Sequence, residues 1–233
     1  MPEDLYACIE ATWPAARFLD VPGWRVRAGA GGGNRVSSAT ATTPEADIAE
    51  MEAAQASLGQ RPLVMVRPSD GSLDARLAEA GYAVRDPVTV YACPVGQLAE
   101  VPPPVSLFQV AWPPVHIQRE LWAEGGIGPE RLAVMDRVTG PHVALLGRSD
   151  DQPAGTAFVA CHEGIAMLHA LEVTPALSRQ GTARHIMQGA ELWGADQGAK
   201  WLAVLVTLEN DRANALYASL GMEPVGQYHY RVK

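Results

Sequence analysis

The segment with the clearest capacity for chemistry is Leu171-Glu172-Val173-Thr174-Pro175, followed by Ser178-Arg179-Gln180-Gly181-Thr182-Ala183 and then a helical pattern. A strand stops at a proline, a short turn carries glycine, and a helix opens. The unpaired N–H groups at a helix start form an anion site that the macrodipole reinforces. Gly181 lets the backbone approach a phosphate, and small residues at 181 and 183 leave room for a diphosphate. Taken alone, the same turn also serves as an ordinary strand–helix connection. A second constellation lies downstream, Asn210-Asp211-Arg212-Ala213-Asn214-Ala215-Leu216-Tyr217 through Gly221.

Other motifs fall short. Gly29-Ala30-Gly31-Gly32-Gly33-Asn34 lacks the last glycine of a dinucleotide fingerprint and the lysine of a P-loop, so a mobile hairpin turn is expected there. His162-Glu163 is followed by Ala166 where a zinc protease motif has histidine, and Cys8, Cys93 and Cys161 form no CxxC pair. No metal site is expected.

Strands are expected over residues 63–67, 87–93, 143–147, 155–160, 165–173, 200–207 and 225–232, with helices over residues 73–80, 181–197 and 211–220 and a helix-rich stretch over roughly 115–136. Gly23 to Arg27 and Asn34 to Ser38 read as two strands of a hairpin. Thr43-Pro44-Glu45 reads as an N-cap with proline at the first helical position, the helix reaching Leu58. Lys200 to Thr207 is almost wholly apolar, as a strand covered on both faces must be. Pro102-Pro103-Pro104 can enter neither helix nor central strand, and a boundary is placed there, dividing residues 1–100 from 101–233. Gly81 and Gly221 lie 140 residues apart, and the same interval carries Val64-Met65-Val66 onto Val204-Leu205-Val206 and Val88 onto Tyr228. A strand–helix–strand unit therefore occurs twice.

The two constellations together resemble the GCN5-related N-acetyltransferase (GNAT) superfamily, through Val173, Pro175, Gly181, Ala183, Asn210, Ala213, Leu216, Tyr217 and Gly221 in order and spacing. Ser178 replaces the family's Gln/Arg, and Met222 replaces phenylalanine. The resemblance implies an α/β (α+β) fold, with a mixed, mostly antiparallel central sheet flanked by helices, here in tandem. It implies acetyl-CoA as co-substrate. The backbone of Leu171 and Val173 would bond the pantetheine arm, Ser178 to Ala183 (Ser178, Arg179, Gln180, Gly181, Thr182, Ala183) would hold the pyrophosphate, and Asn210 would contact the cofactor or cap its helix. Tyr217 would meet the leaving sulfur. The family's glutamate base is replaced by Leu205, leaving Glu172 favoured over His169, Glu163 and His162 as the base. Residues 169 and 172 differ in parity, so a regular strand would send them to opposite faces. Tyr228 and Tyr230 share a face and either shape the acceptor pocket or pack on the sheet.

The first half lacks the counterpart glycine, and Glu45 and Asp47 would occupy its first helical turn, so a degenerate copy without a cofactor site is expected, walling the acceptor cleft. The expected function is direct acetyl transfer to a primary amine, small molecule or peptide. An inactive CoA-binding module and a transferase for another acyl group are the alternatives. The net charge of -8 and pI near 5.2 argue against nucleic acid and suit a cationic amine. With no signal peptide and no long apolar run, a cytoplasmic enzyme with no membrane partner is expected.

Overall fold

A computed structural model describes residues 5–98 and 106–233; the Pro102–Pro104 boundary lies outside the described residues. The first half runs α1 (Leu5–Thr12), β1 (Arg17–Val21), β2 (Trp24–Ala28), α2 (Asn34–Ser37), β3 (Ala39–Ala41), α3 (Ile48–Ser57), β4 (Leu63–Val66), α4 (Gly71–Glu79) and β5 (Ala83–Pro94). The second half runs β6 (Leu107–Val110), α5 (His116–Glu124), α6 (Pro129–Met135), β7 (His142–Ser149), β8 (Gln152–His162), β9 (Ile165–Val173), α7 (Thr182–Asp196), β10 (Trp201–Thr207), α8 (Asp211–Ser219) and β11 (Glu223–Val232).

The strands form one sheet in the order β1-β2-β3-β4-β11-β5-β10-β9-β8-β7-β6. Among the described residues only the β3–β4 and β9–β10 pairs are parallel, giving the mixed, mostly antiparallel sheet expected. The final strand of each half lies against the other half: β5 pairs with β10, and β11 pairs with β4. The sheet is thus continuous across the expected boundary.

β10 shows why the centre of the sheet must be apolar. Leu202, Val204 and Val206 enter one core with Ile186, Met187 and Ala190 of α7, whereas Trp201, Ala203 and Leu205 enter another with Leu5, Cys8 and Ile9 of α1. Alternation along a strand sends neighbours to opposite faces, and both faces are covered by helices. Each such buried aliphatic side chain is worth about 1.5–3 kcal/mol. A third core gathers Trp13, Trp122, Val134 and Phe158 beneath α5 and α6.

Three local expectations are corrected. Asn34 to Ser37 is a short helix, and the strand that pairs with β2 on the far side is β1, at Arg17 to Val21. The Gly29–Gly33 segment is no free hairpin turn: a Cβ on Gly32 would lie 2.6 Å from Val134 of α6, so glycine is what allows the halves to touch. The helix after Pro44 starts only at Ile48, because Asp47 caps it by accepting a hydrogen bond from the Ala49 N–H (2.9 Å) while Ala46 is buried ahead of it. Pro44 and Glu45 therefore stand outside that helix.

Candidate active site

Pairing between β9 and β10 ends at Leu168 opposite Val204, although the strands continue to Val173 and Thr207. Each keeps its outer neighbour, β8 or β5, and turns an unpaired inner edge toward the gap. A cavity of about 690 Å³ fills this split. Leu171, Glu172, Val173, Ala183, Asn210 and Tyr217 line it, so six of the expected site residues are brought together. Ser178, Arg179, Gln180, Gly181 and Thr182 stand beyond its lining, in the turn that leads to it.

That turn has a backbone geometry suited to an anion. Gly181 has φ +87° and leads into α7 without a side-chain cap, and no acidic residue occupies the first helical turn. The first N–H groups of α7 are thus left to an external acceptor. The Thr182 hydroxyl is buried and has no partner among the described residues. Ser178 is occupied locally, its hydroxyl donating to the Pro175 carbonyl (2.9 Å), and Gln180 accepts from Ser149. Arg179, exposed at φ +64°, brings the positive charge. The counterpart helix α3 is closed by the Asp47 carboxylate. The residues present therefore suit a diphosphate at α7 and oppose one at α3. Asn210 accepts from the Ala213 N–H (3.1 Å) and so is the N-cap of α8, on the cavity wall.

β9 departs from a regular strand. Phe158 faces His169 and Thr156 faces Glu172, so β9 carries one extra residue between them, and Ala170 takes φ +51°. The Trp122 indole N–H holds the Ala170 carbonyl at 2.8 Å. This bulge overturns the parity argument: His169 and Glu172 both reach the cavity.

They serve differently. His169 is almost fully buried against Trp13, with ring centroids 5.0 Å apart. Its Nδ1 lies 3.1 Å from Arg35 Nη1 and its Nε2 lies 2.9 Å from Thr12 Oγ1. A guanidinium only donates, so Nδ1 accepts and Nε2–H donates to Thr12, whose hydroxyl donates on to the Cys8 carbonyl (2.7 Å). Burial, then the Arg35 charge, holds this imidazole well below its usual pKa, and both nitrogens are occupied. Glu172 is half-buried over Gly125 and engages in no described hydrogen bond or ion pair. Burial raises its pKa, with Arg131 opposing. His162 and Glu163 sit at the β8–β9 turn, outside the cavity lining.

Tyr217 packs on Tyr91 (centroids 5.8 Å apart) and belongs to the core beneath α7, while also lining the cavity. Burial, then the charge of Glu172, pushes its phenol far up, so it stays protonated. Tyr228 and Tyr230 meet edge-on, pack in the core that β11 shares with α1, and also line the cavity.

The first half contributes residues that spacing alone could not find: Trp13, Gly32, Gly33, Asn34, Arg35 and Asp86 complete the cavity. Gly32, Gly33 and Asn34 belong to the glycine-rich segment that the sequence marked only as a turn, and no motif marks Trp13, Arg35 or Asp86, because these residues reach the site through the exchange of β5 and β11 and the contact of Gly32 with α6. Among the described residues no cluster of three or more metal-ligand side chains occurs, and no helix is long and apolar enough to cross a membrane.

Comparison with known proteins bears on this geometry. A family model described as "Acetyltransferase (GNAT) family" matches residues 105–222. The chain is 26% identical over 237 residues to an uncharacterized N-acetyltransferase, YobR, of Bacillus subtilis (strain 168), covering 96% of this chain and 95% of that protein. A GCN5-related N-acetyltransferase from Kribbella flavida superposes with TM-score 0.65 at 20% identity, covering 94% of this chain and 90% of that one. A tandem GNAT protein from the clavulanic acid biosynthesis pathway does so with TM-score 0.61 at 14% identity, over 78% and 66%. At such identities these two likenesses show the fold.

Proposed function

Because the chain belongs to the acetyltransferase (GNAT) family, we propose that it is an acetyl-CoA-dependent N-acetyltransferase that passes the acetyl group directly to a primary amine. The observation that carries this is the cavity in the β9–β10 split, with Glu172 and Tyr217 both on its lining and the uncapped start of α7 at its mouth.

In this reading the free edge of β9 at Leu171 and Val173 bonds the pantetheine arm as an added strand would. The turn Ser178–Ala183 holds the diphosphate by backbone N–H groups, and Asn210 borders it. The co-substrate supplies an activated acyl thioester. Tyr217 donates a hydrogen bond to the leaving sulfur. Its raised pKa makes it a poor base and a steady donor, and since a thiol has a pKa of roughly 8.5, stabilising the thiolate suffices without full proton transfer. Glu172 takes the proton from the acceptor ammonium, for which a raised pKa is the useful direction. His169 holds its wall in place. The first half is read as a second copy of the fold that lost its cofactor cradle and now supplies the acceptor wall, giving units at residues 1–100 and 101–233. The enzyme is taken to be cytoplasmic, without nucleic-acid or membrane partners.

Isothermal titration with acetyl-CoA followed by thiol release over an amine panel tests the proposal. Binding without turnover on any amine would establish a CoA-binding module instead. Faster turnover with a longer acyl-CoA would reassign the donor.

A further inference from the structure

The acceptor end of the cavity carries a guanidinium whose environment is incomplete. Arg35 lies across the Trp13 ring, 5.6 Å from its centroid, and its Nη1 points at His169 Nδ1. That acceptor is a neutral imidazole which cannot supply a counter-charge. Arg35 Nε is buried with no partner, and neither Nε nor Nη2 has a hydrogen bond to a described residue. No described carboxylate forms an ion pair with it. Of the other charges on the lining, Asp86 accepts from the neutral Asn34 amide (2.8 Å) and has no ion pair among the described residues, Glu172 is acted on by Arg131, and Arg212 lies next in the lining to Asn210. The chain as a whole is strongly acidic, yet its cavity presents three arginines against two carboxylates.

The Nε–Nη2 edge of an arginine is a two-donor fork that matches the two oxygens of a carboxylate. A buried donor without a partner is costly, and such a site favours a ligand that satisfies it over an isostere that does not. We propose that the acceptor amine also carries a carboxylate, and that Arg35 receives this group while the amine is directed along the cavity toward Glu172. The substrate class is thus an amino acid or a similar amino-carboxylate, and simple polyamines are disfavoured. This rests on the acetyltransferase reading. It requires Arg35 to act as a binding residue, whereas a purely structural Arg35 would merely hold His169 and Trp13 in place and show no preference among amines.

The test uses the full chain and pairs of amines differing only by a carboxylate: lysine and cadaverine, phenylalanine and phenethylamine, and the remaining amino acids with their decarboxylated amines. Thiol release gives kcat/KM for each. The wild type should favour the carboxylated member of its preferred pair by about 30-fold or more, the loss expected when one half of a desolvated charge pair is missing. Arg35→Met should bring that ratio toward one. Arg35→Lys, which keeps the charge and loses the fork, should give an intermediate ratio and guards against a folding defect in the methionine variant. A wild-type ratio near or below one, or a ratio unchanged by Arg35→Met, overturns the inference and leaves the acetyltransferase reading standing. If no amine is turned over, that reading fails, and titration of N-acetyl amino acids against their amides in the presence of CoA decides the matter. Binding that needs both the carboxylate and Arg35 upholds the inference, and its absence ends it.

Discussion

Val88 and Tyr228 face each other where β5 and β11 pair, and each is the other's counterpart under the 140-residue interval of the internal repeat. The pairs beside them obey the same interval. His229–Val66, Tyr230–Met65 and Arg231–Val64 on one side become Thr89–Val206, Val90–Leu205 and Tyr91–Val204 on the other. The two strand–helix–strand units are therefore related by a pseudo-two-fold axis at Val88 and Tyr228, and each lends its last strand to the other.

That exchange makes the halves inseparable. Residues 106–233 expressed alone would leave β10 without β5 and β11 without β4, exposing apolar strand edges that pair with other chains. We expect this fragment to aggregate or to lack a cooperative melt by circular dichroism. A monomeric fragment with wild-type turnover would refute the view that the first half completes the site.

Tyr217→Phe keeps the ring against Tyr91 and removes the hydroxyl proposed as donor to the sulfur. It should lower kcat by about 10²-fold or more while leaving the Kd for acetyl-CoA nearly unchanged. Unaltered kcat would remove Tyr217 from the chemistry.

Glu172 must be ionised to accept a proton, and its pKa lies above the ordinary carboxylate value. The rate should fall on acidification with a midpoint above about 4.3, the free glutamate value. Glu172→Gln should abolish this limb and cost roughly 10²–10⁴-fold in kcat/KM. A variant that keeps the same acid limb would show that another group titrates.

Gly181 and Gly198 flank α7, and both have positive φ, 87° and 79°. Alanine at either should cost about 1–2 kcal/mol of stability. Only Gly181→Ala disturbs the cradle, its Cβ meeting His185 at 3.3 Å, so only it should weaken acetyl-CoA, by on the order of tenfold in Kd. Equal affinity in the two variants would place the diphosphate elsewhere.

His169 is held neutral in the folded protein, while an unfolded histidine titrates near 6.5. Below that pH the unfolded chain binds more protons, so stability falls as pH falls. From this residue alone, moving from pH 7.5 to 5.5 should cost up to about 1.4 kcal/mol. Denaturant titrations of wild type and His169→Asn should differ in pH slope by this amount, the variant being flatter. Parallel slopes would mean that His169 is protonated in place.

Much of this molecule was legible in the chain. Apolar runs such as Trp201–Thr207, the glycines after helices, and the repeat interval are local signals, because strand burial and helix capping act on neighbours in sequence. The Gly181 turn and the Asn210–Gly221 segment were legible for the same reason: both are short motifs whose backbone geometry depends on their own residues. Three things were decided only by the tertiary structure. The bulge at Ala170, which turns His169 and Glu172 to the same cavity, is held by Trp122, a residue 48 positions away. The start of α3 was set by burial of Ala46 in the core beneath that helix, which leaves Asp47 rather than Thr43 in the capping position. The first-half wall of the cavity, Arg35 above all, arrives through glycines packed on α6 and through strands exchanged between halves. Contacts between residues more than 100 positions apart, such as Arg35 with His169, leave no periodic trace in a sequence, because their geometry is fixed by packing and not by spacing.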